Sequence, residues 1–323
     1  MAPAPDPGGR PATEDLVEQF RSGSPRALAR AISLAERGDP ALRPILESLA
    51  SELRRPVVIG LTGSPGTGKS TLVDALIARL RQRDQRVAVI AADPNSPYTG
   101  GAVLGDRIRM QRHAADGGVF IRSMGVRGHL GGLPLAARET VRLLGAQGFD
   151  VVLVETVGVG QAELEVVGVA DTTVVVLTPD SGDGVQMMKA GIMEVADIFV
   201  VNKADLASAQ RAVSDVRAML SVGPARDWKP PIVSTVAVRG EGLDRLIEEL
   251  DGHRAHLRES GAGQRREQAR LLDEAADMVG EWSRQRARRR LGEDPDLLGR
   301  MLRDRSPYAV AAEIFAEPED SAG

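Results

Sequence analysis

Cysteine is absent from the 323-residue chain. That excludes disulfides, Cys-ligated zinc, iron–sulfur clusters and a thiol nucleophile. Histidine is scarce. His113, His129, His253 and His256 are scattered, so a His-rich metal site is not expected. Aromatic residues make up 3% of the chain, which leaves Leu, Val, Ile and Ala to build the core. No apolar run approaches the roughly 18–20 residues of a spanning helix, so no membrane association is expected. A strong charge of one sign is missing too. The 41 Lys and Arg stand against 45 Asp and Glu, a formal balance of −4. A bulk nucleic-acid binder normally carries a basic footprint, so no nucleic-acid partner is expected either. Met1 to Arg10 is rich in Pro, Gly and Ala and has no apolar h-region. It does not read as a secretory signal, and the expected location is the cytoplasm.

The length suggests one large domain with additions, or two domains. Residues 1–12 read as a disordered tail and 13–54 as an N-terminal helical extension. Within the extension Leu16, Phe20, Leu28, Ala31, Ile32, Leu34 and Ala35 recur at helical spacing until Gly38-Asp39-Pro40 breaks the run. Residues 55–255 alternate short β-rich apolar runs with helical stretches. The candidate strands are Val57–Leu61, Val87–Ala91, Val119–Arg122, Val151–Val154, Thr173–Leu177, Ile198–Val201 and Ile232–Thr235. Candidate helices between them include Ser70–Arg83, Leu133–Leu144, Val185–Val195 and Ser208–Leu220. Strands apolar on both faces and separated by helices predict an α/β fold, a mainly parallel sheet covered on both sides. Residues 256–323 turn helical and charged, with a break expected at Gly261-Ala262-Gly263. The Arg-rich run Arg284–Arg290 has acids nearby and reads as a solvated helix face.

The strongest motif is Gly63-Ser64-Pro65-Gly66-Thr67-Gly68-Lys69-Ser70, which matches G-x-x-x-x-G-K-[ST] between a strand and a helix. The glycines let backbone N–H groups turn in around phosphate oxygens, and the helix N-terminus adds partial positive charge. Lys69 is then placed for the β- and γ-phosphates and Ser70 for Mg²⁺. The second motif is Asn202-Lys203-Ala204-Asp205, N-K-x-D, directly after a strand. A carboxylate there accepts two hydrogen bonds from guanine, from the ring N–H and the neighbouring amine. Adenine would leave it unpaired, which points to GTP over ATP.

Three weaker segments fall at other strand ends. In Asp150 to Gly158 an apolar strand delivers Glu155 to the carboxyl edge of the sheet, where such folds bind ligands. Glu155 suits a role in positioning Mg²⁺ or water, and Gly158 offers an N–H for the γ-phosphate. Gln161, in the same loop, reads equally as a water-orienting or a solvated amide. Asp93 and Asp106 flank a Gly-rich stretch and are candidate Mg²⁺-side carboxylates, although their spacing alone also fits a surface loop. Asp180 to Gly184, leading into Gln186 and Lys189, fits either a switch loop or plain turn chemistry.

Taken together, these segments resemble the MeaB/ArgK/MMAA family of SIMIBI-class P-loop GTPases. The resemblance covers about residues 13–317. It rests on GLTGSPGTGKSTL (60–72), DPNSPYTGGAVLGDRIRM (93–110), ETVGVGQAE (155–163), the stretch from Pro179 to Asp205 and the helical ends. It implies a GTPase, with Mg²⁺ and GTP or GDP, that chaperones an adenosylcobalamin-dependent acyl-CoA mutase. Methylmalonyl-CoA mutase or a close relative would be the partner, and the GTPase would gate cofactor loading without itself being expected to hold cobalamin. It also implies a homodimer joined by the C-terminal arm. By motif, Gly63, Ser64, Pro65, Gly66, Thr67, Gly68, Lys69, Ser70, Thr71, Gly158, Asn202, Lys203 and Asp205 would bind nucleotide. Lys69 and Glu155 would be catalytic, and Ser70, Asp93, Asp106 and Glu155 would lie at the metal. Asp183, Gln186 and Lys189 would couple the switch to the partner. In one departure, Val236-Ala237 stands where the family usually has Ser-Ala or Ser-Gly beside guanine. That keeps a backbone N–H for the base and loses a hydroxyl. Two alternatives share the resemblance. One is a nickel-delivery GTPase, disfavoured by the missing Cys and scattered His. The other is an ArgK-like kinase linked to amino-acid transport, for which no acceptor site is visible.

Overall fold

The computed structural model describes residues 9–94, 111–113, 115–126, 132–156, 168–179, 192–222, 226–304 and 306–316. Its centre is a seven-stranded sheet in which every neighbouring pair is parallel. The strands are β1 (Val57–Thr62), β2 (Val87–Pro94), β3 (Val119–Val126), β4 (Val151–Glu155), β5 (Thr172–Leu177), β6 (Ile198–Asn202) and β7 (Ile232–Thr235). Their spatial order is β3-β2-β4-β1-β5-β6-β7. All seven stand where the apolar runs predict them. They are legible because a parallel strand under helices is buried on both faces and must be apolar throughout. β1, β4, β5 and β6 are buried along almost their whole length.

The helices in chain order are α1 (Gly9–Arg21), α2 (Pro25–Arg37), α3 (Leu42–Ser48), α4 (Lys69–Arg81) and α5 (Gly132–Ala146). They continue as α6 (Ile192–Val195), α7 (Ala209–Val222), α8 (Leu243–Glu259), α9 (Ala262–Glu293), α10 (Pro295–Asp304) and α11 (Tyr308–Ala316). Side chains of the sheet alternate between two layers. Val58, Ala88, Ile90, Val152 and Val154 join the cluster under α1–α3 and α5. Ile59, Leu61, Val87, Val89, Val151 and Leu153 join the cluster under α4 and α8. The period of two along each strand divides one apolar run between two cores.

Two expectations need correcting at the N-terminus. The first helix begins at Gly9 rather than Thr13. The helical pattern from 13 to 37 is also two helices. Gly23 adopts φ +81° and Ser24 caps α2, its Oγ accepting from the Ala27 N–H at 3.4 Å. A left-handed glycine followed by Ser-Pro ends one helix and starts the next. The second stop falls as expected: Gly38 at φ +59° caps α2. The N-terminal helices also share a core with the sheet rather than standing apart. Arg122 of β3 reaches α2, its Nε donating to Glu36 at 3.1 Å and its Nη2 to Ser33 Oγ at 2.9 Å.

At the amino edge of the sheet a polar network replaces apolar packing. Asp197, just before β6, is 5% exposed, and its Oδ2 accepts the Thr173 N–H at 2.9 Å. Arg266 of α9 donates to both of its oxygens, at 2.9 and 3.2 Å. His253 of α8 is fully buried, with Nε2 3.3 Å from Asp197 Oδ1 and Nδ1 2.8 Å from Thr172 Oγ1. Trp228 donates Nε1–H to the Asp197 carbonyl at 2.7 Å and packs its ring against His253 and His256. These bonds bring the start of α9 onto the first residues of β5 and β6.

The described residues divide into two compact units, the second beginning at Gln268. Within that unit Leu297, Val310 and Ile314 pack against Ala287, Leu291 and Met301. Among the described residues no helix is long and apolar enough to cross a membrane.

Burial alone would raise the Asp197 carboxyl. The hydrogen bonds from His253 and Arg266, with their charges, outweigh it and hold the group below the ordinary aspartate value. A carboxyl depressed in the fold stabilises it above the unfolded value of about 3.9, and that stability disappears as pH falls through the lower folded value. Asp197→Ala is therefore expected to cost about 2–3 kcal/mol in urea unfolding at pH 7. The gap between variant and wild type should close progressively below pH 4. A gap that persists unchanged to pH 2 contradicts the role given to this carboxylate.

Candidate functional site

β1 delivers an apolar strand to the carboxyl edge, and the chain then turns sharply at Gly63. Gly63 has φ +138°, and a Cβ there would overlap the Val176 carbonyl of β5. Only glycine admits both the dihedral and the approach. The loop closes on itself, with Thr67 Oγ1 donating to the Ser64 carbonyl at 2.9 Å. Gly68, at φ +88°, caps α4 with no side-chain hydrogen bond, so the first-turn amides of α4 remain for a ligand. A strand, a glycine-rich turn and an uncapped 13-residue helix together make an anion cradle.

Lys69 opens α4 and is buried within that cradle. Its Nζ donates to the carbonyls of Gly63 at 2.6 Å and Ser64 at 3.0 Å, which centres the ammonium inside the curve of the loop. Ser70, next on α4, donates Oγ–H to Glu155 Oε1 at 2.6 Å, with both side chains buried. Glu155 ends β4, in register with Leu61 of β1 and Ala91 of β2. Strand pairing thus places the carboxylate beside the entry to the loop. The Thr156 hydroxyl, 3.3 Å from that of Thr62, lies just past it. Thr71 follows on α4 and is half-buried.

The other end of the site is built from β6 and β7. Asn202, the last residue of β6, donates Nδ2–H to the Thr67 carbonyl at 2.9 Å. Its Oδ1 accepts from Thr235 Oγ1 at 3.1 Å and from the Ala237 N–H at 3.2 Å. Lys203, at φ +57°, sends Nζ to the Gly66 carbonyl at 2.9 Å. The Ala204 N–H donates to the Thr235 carbonyl, fixing the turn that carries Asp205 to the rim. Asp205 is 41% exposed there, with Arg239 Nη1 3.4 Å from its Oδ2. The two strongest sequence motifs, 133 residues apart from Lys69 to Asn202 by subtraction of their numbers, are therefore hydrogen-bonded into one site.

Val236 is buried and adds no polar atom. The Ala237 N–H donates to Asn202 Oδ1 at 3.2 Å, at the start of the short helical turn Ala237–Arg239. Sequence reasoning missed Thr62, Thr156 and Thr235, whose polar contacts appear only once strands pair. It also missed Arg239 and Glu241. The Arg239 guanidinium is raised above its ordinary value, first by its hydrogen bond to Glu241, against burial, with Asp205 adding charge. Asp93 lies on β2 opposite Gly125, but its side chain lies outside the described residues, as do Asp106, Gly158, Gln161, Asp183, Gln186 and Lys189.

Ser70 and Glu155 are hard oxygen donors 2.6 Å apart at the mouth of an anion cradle. That set suits Mg²⁺, which takes one or two protein oxygens and completes its shell with phosphate oxygens and water. Among the described residues no cluster of three or more His, Asp or Glu is placed to hold a metal by itself.

Residues 28–290 match the family described as methylmalonyl-CoA mutase-associated GTPase MeaB. A Pyrococcus horikoshii protein that carries a GTPase name is 43% identical over 303 residues, 92% of this chain and 96% of that one. The GTPase ArgK of Escherichia coli is 36% identical over 257 residues, 76% of this chain and 77% of its own. The crystal structure of an LAO/AO transport system kinase superposes with a TM-score of 0.68 at 25% identity, covering 97% of this chain and 98% of that one.

Asn202→Ala removes one donor and one two-fold acceptor from a buried junction. It is expected to destabilise the fold by roughly 2–4 kcal/mol in chemical denaturation. A loss below about 0.5 kcal/mol, the level of an ordinary surface change, would contradict the junction role.

Proposed function

The chain belongs to the MeaB family of methylmalonyl-CoA mutase-associated GTPases, and we propose that it hydrolyses GTP as a switch on an adenosylcobalamin-dependent acyl-CoA mutase. The observation that carries the nucleotide reading is the Asn202 junction. It fastens a phosphate loop and a purine-reading carboxylate to each other across β1, β5 and β6.

The roles follow from the geometry. Loop amides and the α4 N-terminus bind the phosphates, and the Lys69 ammonium neutralises charge that builds on them as the terminal bond breaks. Ser70 and Glu155 would hold a magnesium ion, which would supply charge neutralisation for the phosphates. Glu155 also orients water by accepting its hydrogen bond, a role its placement at the end of β4 supports. Phosphoryl transfer needs positioning and charge neutralisation more than covalent chemistry, and these residues supply both. Water adds to the γ-phosphorus, and GDP and inorganic phosphate leave. Asp205 at the rim accepts from the guanine ring N–H and amine.

The mutase partner is supported by the family description and by the extent of the match. A homodimer through the C-terminal arm is part of the same proposal. Large apolar side chains left exposed on α9, α10 and α11, among them Leu272, Val279, Leu302 and Phe315, are its physical support. The segment around Asp183, Gln186 and Lys189 is proposed to carry the nucleotide state to the mutase.

The test compares hydrolysis of GTP and ATP by the full chain, with and without a cobalamin-dependent mutase recovered from native lysate. GTP is expected to turn over and ATP not, with the rate responding to the mutase. Lys69→Ala should lose on the order of 100-fold or more in kcat while remaining folded. Wild-type turnover in that variant, or transfer of phosphate to an amino-acid-linked acceptor instead of water, would overturn the assignment.

A further inference from the structure

Asp205 reaches the rim on a turn fixed by the backbone, but its carboxylate needs a side-chain partner to hold one rotamer. Among the described residues, the group the structure records on it is the Arg239 guanidinium. Val236, at the position where a hydroxyl would stand, contributes none. Arg239 is itself held from behind. Its Nε donates to Glu241 Oε1 at 2.7 Å and its Nη2 lies 3.5 Å from Oε2, a side-on fork, which leaves Nη1 aimed end-on at Asp205 Oδ2.

The backbone under this pair is tightly specified. Val236 and Glu241 exchange hydrogen bonds in an antiparallel bridge, with the Val236 N–H donating at 3.1 Å and the Glu241 N–H at 3.3 Å. Gly240 takes φ +73° to cap the short helical turn. Gly242 takes φ +79°, and a Cβ there would collide with the Ser234 carbonyl. The six-residue loop thus presents Arg239 and Glu241 side by side at a set distance from the Asp205 turn.

We infer that Arg239, oriented by Glu241 across the Val236–Glu241 bridge, is a positioning residue that holds the Asp205 carboxylate for reading guanine. This rests on the assignment of Asp205 as the purine reader. Among the described residues, the side-chain partners recorded for Arg239 are Glu241 and Asp205, both at the rim. The pair is half-exposed, so its effect is modest and sensitive to salt.

Calorimetry on the full chain with GDP, inosine diphosphate and ADP tests it. Inosine lacks the exocyclic amine and so has one bond fewer to lose when the carboxylate drifts. Arg239→Ala is expected to weaken GDP about threefold to fivefold, inosine diphosphate less and ADP not at all. The KM for GTP should rise with kcat unchanged, and the melting temperature should stay at the wild-type value. Arg239→Lys should restore part of the preference, and Glu241→Gln should give a smaller loss in the same direction. A wild-type ratio of GDP to inosine diphosphate affinity in Arg239→Ala overturns the inference, as does equal weakening of all three nucleotides. If the wild-type chain itself fails to prefer GDP over ADP, the assignment of Asp205 falls first and the inference with it.

Discussion

One amide side chain joins the two halves of the proposed site. Asn202 donates to the phosphate loop at Thr67 and accepts from both Thr235 and Ala237, so β6, β7 and the loop after β1 are registered against each other through three bonds. The contact is tight enough that Gly68 must lack a side chain, because a Cβ there would strike the Asn202 amide. An amide is suited to this place because it carries its donor and its two-fold acceptor on separate atoms, which can face opposite partners. Replacing it with a carboxylate would set like oxygens against the Thr67 carbonyl. The distance between phosphate cradle and base reader is thereby set by the sheet and not by either loop.

The two edges of the sheet perform different work. The carboxyl edge gathers glycines, a buried ammonium and a buried carboxylate, each costly to fold, as sites commonly do. The amino edge gathers Asp197, His253, Arg266 and Trp228 into contacts that fasten helices to strands. With 3% aromatic residues, ring-on-ring packing is sparse, Phe120 against Phe149 being one such contact. Two layers of branched aliphatic side chains and this polar fastening stand in its place.

Much of this was legible in the residue order, for identifiable reasons. Most strands sit on short apolar, β-rich runs, so their existence needed no knowledge of their neighbours. Gly63 to Ser70 is contiguous, so the loop and its helix read together. The spatial order β3-β2-β4-β1 was not legible, because apolar runs of this kind do not say which strand lies beside which. The break at Gly23 was hidden by helical spacing that continues across it. Arg239 and Glu241 look like ordinary surface charges two residues apart. They become a pair only when Val236 bridges Glu241 and folds the loop back. Asp197 and Arg266 are 69 positions apart and meet only once α9 is laid against the sheet.

The chain contains two tryptophans, and Trp228 lies with its ring centroid 4.9 Å from that of His253 and 5.2 Å from that of His256. Trp282 belongs to the second compact unit. Trp228 is not among the residues of the proposed nucleotide cleft. Its emission consequently reports the packing of the amino edge, where the indole lies against two imidazoles. Indole fluorescence is thus suited to following loosening of that edge, and a labelled nucleotide to following occupancy of the cleft.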